Sequence, residues 1–231
     1  MASAIYTTGE YLALHPTWHM EDSAWKAEQV LRMLKRNGLQ PEKLCEIGCG
    51  AGGILAELQT SLDDRCELRG YEISPQAYAL CQERANPKLQ FVLGNYFDEP
   101  AEDADVMLVM DVVEHIEDYL GFLKKLRGRA RFIMLHVPLD LSLQSILRHT
   151  PEKVRRSAGH LHYFTKEIFL DAMRDCGYDI VDWNYTGAAV ERPSRSLAMA
   201  IAKWPRKAVF HLSPDLATLA LGGYSLLVLA Q

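Results

Sequence analysis

The sequence predicts an α/β fold built on one doubly wound, mostly parallel sheet, and three observations support this. Strand-like and helix-like segments alternate over residues 23–186, which is typical of parallel strands covered by helices on both faces. The short segments 44–47 and 106–110 are almost wholly apolar, as expected of strands buried on both sides. A glycine-rich turn at 48–52 joins the first of these strands to a helix.

The individual elements follow from apolar periodicity and from residues that begin or end helices. A helix capped at Asp22 or Ser23 ends before Gly38, Pro75 stands at a favoured first helical position, and Thr165 caps a later helix. The predicted strands are 44–47, 67–72, 89–93, 106–110, 131–137, 178–185 and 224–230. The predicted helices between them are 53–62, 75–85, 116–126 and 165–176.

Two regions depart from this alternation. Residues 138–161 are a polar connector with basic side chains at Arg148, Lys153, Arg155 and Arg156. Residues 188–222 are too long for a hairpin loop and predict a helical insertion, in which Pro193, Pro205 and Pro214 break any long helix. We therefore expect a single domain over 1–231. Its parts are a helical N-terminal cap (1–38), a core (39–186), the insertion (187–222) and an antiparallel last strand (223–231).

Composition limits the classes of function. The 231 residues contain 25 Lys and Arg against 30 Asp and Glu, which argues against nucleic acid as the main partner. Five cysteines without a CxxC pair fit a reduced, cytoplasmic protein without a zinc site of common spacing. We expect no secretion signal, and the apolar stretch 216–230 is too short for a membrane span. A monomer and a homodimer fit equally.

The glycine turn and its flanking acids indicate a nucleoside-cofactor site. Glu46 is an acid within an otherwise apolar strand, where its charge is costly unless a cationic ligand pairs with it. Gly48 and Gly50 permit a tight turn and close backbone approach. Glu72 ends the next strand, twenty residues after Gly52, where a carboxylate can accept hydrogen bonds from both ribose hydroxyls. A solvated strand end is the alternative for Glu72.

These residues resemble the class I S-adenosylmethionine-dependent methyltransferases. E-I-G-C-G-A-G is similar to their first motif, Y-E-I-S to their ribose-binding acid, and D-V-M-L-V-M-D-V-V-E-H-I-E-D to their fourth strand and its exit loop. G-H-L-H-Y-F-T-K-E-I-F-L-D-A-M-R-D-C-G-Y resembles the stretch before the sixth strand in a group that includes quinone-biosynthesis enzymes. The resemblance covers about residues 20–186 and the last strand. It implies a Rossmann-like, seven-stranded sheet, S-adenosylmethionine as cofactor and a small-molecule acceptor.

The resemblance also implies a set of cofactor-binding residues. They are Glu46, Gly48, Cys49, Gly50, Gly52, Glu72, Ile73, Asn95, Tyr96, Asp111 and Val112. One position departs from the family, which usually has Asp after the glycine that ends the third strand. Here Asn95 stands there, and its amide oxygen can still accept a hydrogen bond from the adenine amino group, with Tyr96 beside the ring.

His115 is the candidate catalytic base. Methyl transfer is largely a matter of positioning, and a base is needed only when the acceptor atom must lose a proton. His115 follows the fourth strand, where the acceptor should stand, and an ordinary histidine pKa suits this task. A packing role in the loop fits His115 equally well.

A divalent metal is a less favoured addition. Asp111, Glu114, His115 and His160 are the residue types that bind such ions, and the arrangement resembles that of small-RNA 3′-terminal ribose methyltransferases. The first acid is Asp here instead of the usual Glu. Metal-assisted RNA ribose 2′-O-methylation therefore stays an alternative function, as does a non-catalytic S-adenosylmethionine-binding module.

Other side chains are candidates for covering the cofactor or contacting the acceptor. They are Trp18, His19 and Lys26 near the N-terminus and His160 and His162 after the connector. An aromatic cluster that anchors the first helix to the sheet is the alternative for the N-terminal set. The connector's arginines fit either recognition of an anionic acceptor or a solvated loop.

Overall fold

The computed structural model of the protein describes residues 17–18, 20–100, 103–191 and 197–231. Its strands form one sheet and are β1 (Lys43–Ile47), β2 (Glu67–Glu72), β3 (Leu89–Leu93), β4 (Ala104–Met110), β5 (Ala130–Pro138), β6 (Ile180–Thr186) and β7 (Ser225–Ala230). They lie in the order β3-β2-β1-β4-β5-β7-β6. β7 runs antiparallel to both β5 and β6, and the ladders among β1 to β5 are parallel. The predicted Rossmann-like fold with an antiparallel last strand is confirmed.

Helices connect the strands and cover the sheet. They are α1 (Ser23–Arg36), α2 (Gly53–Gln59), α3 (Pro75–Gln82), α4 (Tyr119–Leu126), α5 (Leu143–Leu147), α6 (Thr150–Ser157), α7 (Lys166–Asp175), α8 (Ala188–Glu191), α9 (Leu197–Leu212) and α10 (Pro214–Leu221). The side chain of Ser74 accepts from the Ala77 amide and caps α3, whose first residue is Pro75. Thr165 caps α7 in the same way, as predicted.

The core consists of two apolar layers, one on each face of the sheet. Because successive side chains of a strand point to opposite faces, β4 serves both layers. Met107 and Val109 join the layer beneath α4 and α7, whereas Val106 and Leu108 join the layer beneath α1 and α2. This packing fixes the carboxyl ends of β1, β2 and β4 at one edge, where the loops that follow them meet.

Some element bounds differ from the prediction. α4 begins at Tyr119 instead of residue 116, because the Asp118 side chain accepts from the Gly121 amide and caps the helix there. The connector 138–161 contains α5 and α6. Pro205 was expected to end a helix but lies inside α9. It is exposed, and Val209 and Phe210 hold that helix from its other side. Pro193 lies outside the described residues.

Among the described residues, no helix combines the length and the apolar character that crossing a bilayer requires.

All five cysteines are buried free thiols.

Candidate active site

The glycine turn between β1 and α2 depends on backbone conformations that favour glycine. Gly48, Gly50 and Gly52 have φ of 70°, 56° and 76°. A Cβ on Gly48 would lie 2.7 Å from Val112 Cγ2, and one on Gly52 would lie 2.6 Å from Phe91 Cζ. At Gly50 the nearest such atom is 4.0 Å away. Two glycines are therefore required for packing, and the middle one leaves the backbone open to a ligand.

Glu72 connects this turn to the end of β2 through two hydrogen bonds from backbone amides. Its Oε2 accepts from the Gly50 amide at 2.9 Å, and its Oε1 accepts from the Ser74 amide at 2.7 Å. Burial raises the pKa of Glu72, and the two amide donors oppose that shift. Glu72 is buried against the cavity wall, so it is not a solvated strand end. Its remaining lone pairs can accept further hydrogen bonds.

Glu46 is a buried acid with an unsatisfied oxygen. Only 1% of its surface is exposed, and its Oε2 has no hydrogen-bond partner within the protein. Burial raises the pKa of Glu46 to about 8, although the charge of Lys26 opposes the shift. A buried carboxylate is stable only with a counter-charge or donors, so this oxygen marks a place for a cationic group.

Asp111 ends β4 and connects three elements through its carboxylate. Lys26 Nζ of α1 and His136 Nδ1 of β5 each lie 2.6 Å from one of its oxygens, and His136 Nε2 lies 2.8 Å from Thr186 Oγ1 of β6. Burial disfavours the charged Asp111, but His136 and Lys26 outweigh it and hold its pKa well below the usual range. Asp111 itself has a φ of 57°.

Sequence reasoning missed His136 and Thr186. For His136 the available signal was the one that identified Glu46, a lone polar residue in an otherwise apolar buried strand. Thr186 ends a strand of mixed polarity and has no such signal. The network also gives Lys26 a definite place, because its ammonium is paired with Asp111 across the floor of the cavity. Burial opposes this charged form of Lys26, but Asp111 raises its pKa.

Glu46 and Glu72 make up the first polar group of the site, and a second polar group lies beyond Asp111. One ligand-type atom from each of Glu114, His115 and His160 falls within 4.8 Å of the others. His115 Nδ1 lies 3.2 Å from the Gly159 carbonyl, and His160 Nδ1 donates to Asp140 Oδ2 at 2.6 Å. Asp140 is a further residue that the sequence analysis did not single out. Both carboxyl oxygens of Glu114 are buried without a hydrogen-bond partner.

This second group is largely buried. Burial, followed by the neighbouring His160, lowers the pKa of His115 to about 4. Burial and the charge of Asp111 raise the pKa of Glu114 well above its usual range. Asp111 stands outside this group of ligand-type atoms, since its oxygens are engaged by Lys26 and His136. The structure thus brings together three of the four residues considered for a metal.

One cavity of about 380 Å³ contains both polar groups. Trp18, Met20 and the start of α1 line part of it, and Ser23 packs against Gly53. The residues predicted from the sequence that line the cavity are Trp18, Lys26, Glu46, Gly48, Cys49, Gly50, Glu72, Ile73, Asp111, Val112, Glu114, His115 and His160.

The other predicted residues lie elsewhere. Gly52 packs behind the turn. The exposed Asn95 uses its side chain to accept from the Phe97 amide, and Tyr96 is in the core, with its ring 5.0 Å from that of Tyr71. His162 Nε2 donates to the Ile116 carbonyl at 2.9 Å, outside the cavity. His19 lies outside the described residues.

Comparison with known protein families identifies the family of the chain. A family model described as a methyltransferase domain matches residues 18–182. This chain belongs to that methyltransferase family. The enzyme is an S-adenosylmethionine-dependent methyltransferase, and the matched range contains the glycine turn, Glu72, Asp111 and the second polar group.

Solved structures share the fold at low sequence identity. Magnesium protoporphyrin IX methyltransferase from Synechocystis PCC 6803 is 15% identical, with a TM-score of 0.62, and the match covers 99% of this chain and 96% of that one. The cyclopropane synthase MmaA2 from Mycobacterium tuberculosis is 15% identical, with a TM-score of 0.59 and coverages of 88% and 84%. The methyltransferase domain of bacterial CtHen1 is 14% identical, with a TM-score of 0.59 and coverages of 92% and 98%.

Proposed function

We propose that the enzyme transfers the methyl group to a small-molecule acceptor bound beside His115, at the end of the cavity away from the glycine turn. The observation that carries this proposal is the cavity of about 380 Å³ that contains both polar groups and has Trp18 and Met20 in its wall. Its volume lies within the range of small-molecule sites. Met110, Ile116 and Pro138 give its wall apolar surface beside the histidines.

The cofactor-binding role of the first polar group rests on unsatisfied atoms and open backbone. Glu46 Oε2 is a counter-charge for an amino-acid ammonium group. The remaining lone pairs of Glu72 accept from ribose hydroxyls, and Gly50 leaves room for the ligand against the backbone. These residues fit S-adenosylmethionine. When bound, the cofactor supplies an electrophilic methyl group on a sulfonium for in-line attack by the acceptor.

His115 is assigned the role of base for an acceptor that carries a proton. Because a carbonyl only accepts hydrogen bonds, its contact with Gly159 places the ring proton on Nδ1 and leaves a lone pair on Nε2. The low pKa keeps this imidazole neutral near physiological pH and able to accept a proton. Asp140 orients the adjacent His160 through its Nδ1–H.

Radiolabelled methyl transfer to phenols, amines and carboxylic acids tests this proposal, with a short RNA included as a competing acceptor class. With a small acceptor, the His115→Gln variant should lose about 100-fold or more in turnover, while its affinity for S-adenosylhomocysteine stays unchanged. The matched control is His211→Gln, an exposed position in α9. Labelling of RNA alone, or full turnover by His115→Gln, would contradict the assignment.

A second candidate, metal-assisted ribose 2′-O-methylation, is favoured by one observation. Glu114 and the two histidines present ligand-type atoms within 4.8 Å of one another. Partners on both Nδ1 atoms orient the imidazoles, so Nε2 is the nitrogen of each ring that would ligate a cation. Calorimetric titration with Mn²⁺ should show binding that Glu114→Gln abolishes. This candidate fails if activity survives exhaustive chelation and Glu114→Gln retains normal turnover.

A further inference from the structure

Exposed apolar side chains are concentrated on three neighbouring helices. Among the described residues, the six most exposed large apolar side chains all belong to α5, α9 and α10, and they are Leu143, Ile146, Leu147, Trp204, Leu212 and Leu216. Leu212 is 84% exposed, Leu147 72% and Trp204 70%. Isolated exposed apolar residues are normal in soluble proteins, but a concentration of them marks an interaction surface.

These helices form one packed unit. α10 contacts both α5 and α9, and α6 contacts α5. The guanidinium of Arg206 in α9 donates to Gln144 Oε1 in α5 at 2.6 Å. Gly222, which follows α10, packs against Ser142, which caps α5. We call the surface made by α5, α6, α9 and α10 the basic surface, for the charges that it carries.

α9 shows how the basic surface is organised. Val209 and Phe210 pack inward against the cluster that contains Tyr224. Trp204, Ala208 and Leu212 are spaced by four residues and are all exposed, so they lie on one outward face of the helix. The helix therefore has one apolar stripe that the protein covers and a second that it leaves exposed.

The charge of the basic surface is opposite to that of the rest of the protein. Residues 143–157 and 197–221, which include all four helices, contain seven of the 25 Lys and Arg but only two of the 30 acids, Glu152 and Asp215. The chain as a whole has a net charge of −5. The basic residues are Arg148, Lys153, Arg155, Arg156, Lys203, Arg206 and Lys207. Excess positive charge and exposed apolar side chains thus occur on the same four helices.

We propose that the basic surface docks the enzyme peripherally on an anionic lipid bilayer. Exposed leucines and a tryptophan beside lysines and arginines are the composition of helices that lie in the membrane interface. Exposed Leu143, Ile146 and Leu147 contribute nothing to binding a nucleic-acid backbone. A second copy would bring two like-charged surfaces together. An anionic bilayer satisfies both the charge and the apolar area.

The test is co-sedimentation of the full-length protein with vesicles. Binding should be strong to phosphatidylcholine vesicles that contain phosphatidylglycerol, weak to pure phosphatidylcholine, and reduced by added salt. Because each basic residue near an anionic surface strengthens binding about fivefold, Arg155→Glu/Arg156→Glu should weaken it at least about 20-fold. The matched control is Lys124→Glu/Lys125→Glu, an adjacent exposed basic pair in the last turn of α4.

A second pair of variants tests the apolar contribution. Leu147→Ser/Leu212→Ser should weaken binding to the anionic vesicles while leaving its salt dependence unchanged, since no charge is removed. Ile168→Ser/Val181→Ser, on exposed apolar side chains outside the basic surface, should bind like the unmodified protein. Unchanged melting temperature and S-adenosylhomocysteine affinity show that the variants are folded.

Several results would overturn the proposal. Equal binding to neutral and anionic vesicles would remove the role of charge, and equal losses in the control pairs would remove the role of this surface. Binding of RNA without vesicle binding would assign the surface to nucleic acid. Conversion of a dimer to a monomer by Leu147→Ser/Leu212→Ser, without vesicle binding, would assign it to a second copy of the chain.

Discussion

The two polar groups of the cavity are built in different ways. At the proposed cofactor end, Glu46 and Glu72 stand on adjacent parallel strands, and backbone amides hold Glu72. At the proposed acceptor end, His115 and His160 come from a short turn and a connector 45 residues apart in the chain. The cofactor end is therefore defined by local sequence and sheet register, whereas the acceptor end depends on where a long connector packs. Substitutions at one end should leave the other functional.

The largest effect confined to one end of the cavity is expected from Glu72→Ala, which should weaken cofactor binding. This change removes the acceptor of the Gly50 and Ser74 amides together with the proposed ribose contacts. Loss of charge-assisted hydrogen bonds should weaken S-adenosylhomocysteine binding about 100- to 1000-fold, as measured by calorimetry. Glu67→Ala, at the exposed start of the same strand, should bind normally, and so should His160→Gln at the acceptor end. Equal weakening by His160→Gln would show that the ends are not independent.

A smaller effect is expected from Gly48→Ala, which tests packing of the turn. The alanine must adopt a backbone φ of 70°, and its Cβ would lie 2.7 Å from Val112 Cγ2. Left-handed strain and overpacking together should lower the free energy of unfolding by about 2–4 kcal/mol. Gly128→Ala is matched in φ at 75° but has nothing within 4 Å, so it should cost only about 1 kcal/mol. Denaturant unfolding of the two variants measures the difference, and equal losses would remove the role of the Val112 contact.

The same contrast explains what the sequence could predict. Glu46 and Glu72 were identifiable because an acid in an apolar strand and an acid at the next strand end are visible within a few residues of the glycine turn. The seven strands were visible for a similar reason, since apolar runs report burial directly. The link between Lys26, Asp111 and His136 joins residues far apart in the chain, and only the packed sheet brings them together.

Local contacts of the side chains explain why three residues predicted for the site do not line the cavity. Asn95 has an oxygen suited to an adenine amino group, but that oxygen accepts from the Phe97 amide of its own turn. Tyr96 follows it and is drawn into the core beside Tyr71. His162 was grouped with His160 because they are two residues apart, yet its ring lies against the carbonyl of Ile116 and the ring of Tyr119. In each case a local partner competes with the predicted ligand.

The smallest effect, about tenfold per pH unit, is expected from the titration of Glu46. Burial raises the pKa of this carboxyl to about 8, so at lower pH a proton must leave before it can pair with a ligand ammonium. Affinity for S-adenosylhomocysteine should therefore rise up to about tenfold per unit between about pH 5.5 and about pH 7. The folded protein also binds this proton more tightly than the unfolded chain. The stability of the ligand-free protein should consequently fall as pH rises from about 4.3 to about 8.

Glu46→Gln isolates this titration from the others in the cavity. The amide keeps the shape but carries no proton, so both slopes attributable to Glu46 should disappear, and calorimetry and melting curves across the pH range measure them. His160→Gln at the acceptor end should retain the pH dependence of ligand affinity. A Glu46→Gln protein with the original affinity slope would place the controlling group elsewhere and remove Glu46 as the counter-charge. A slope lost in both variants would instead mean that the two ends of the cavity titrate as one unit.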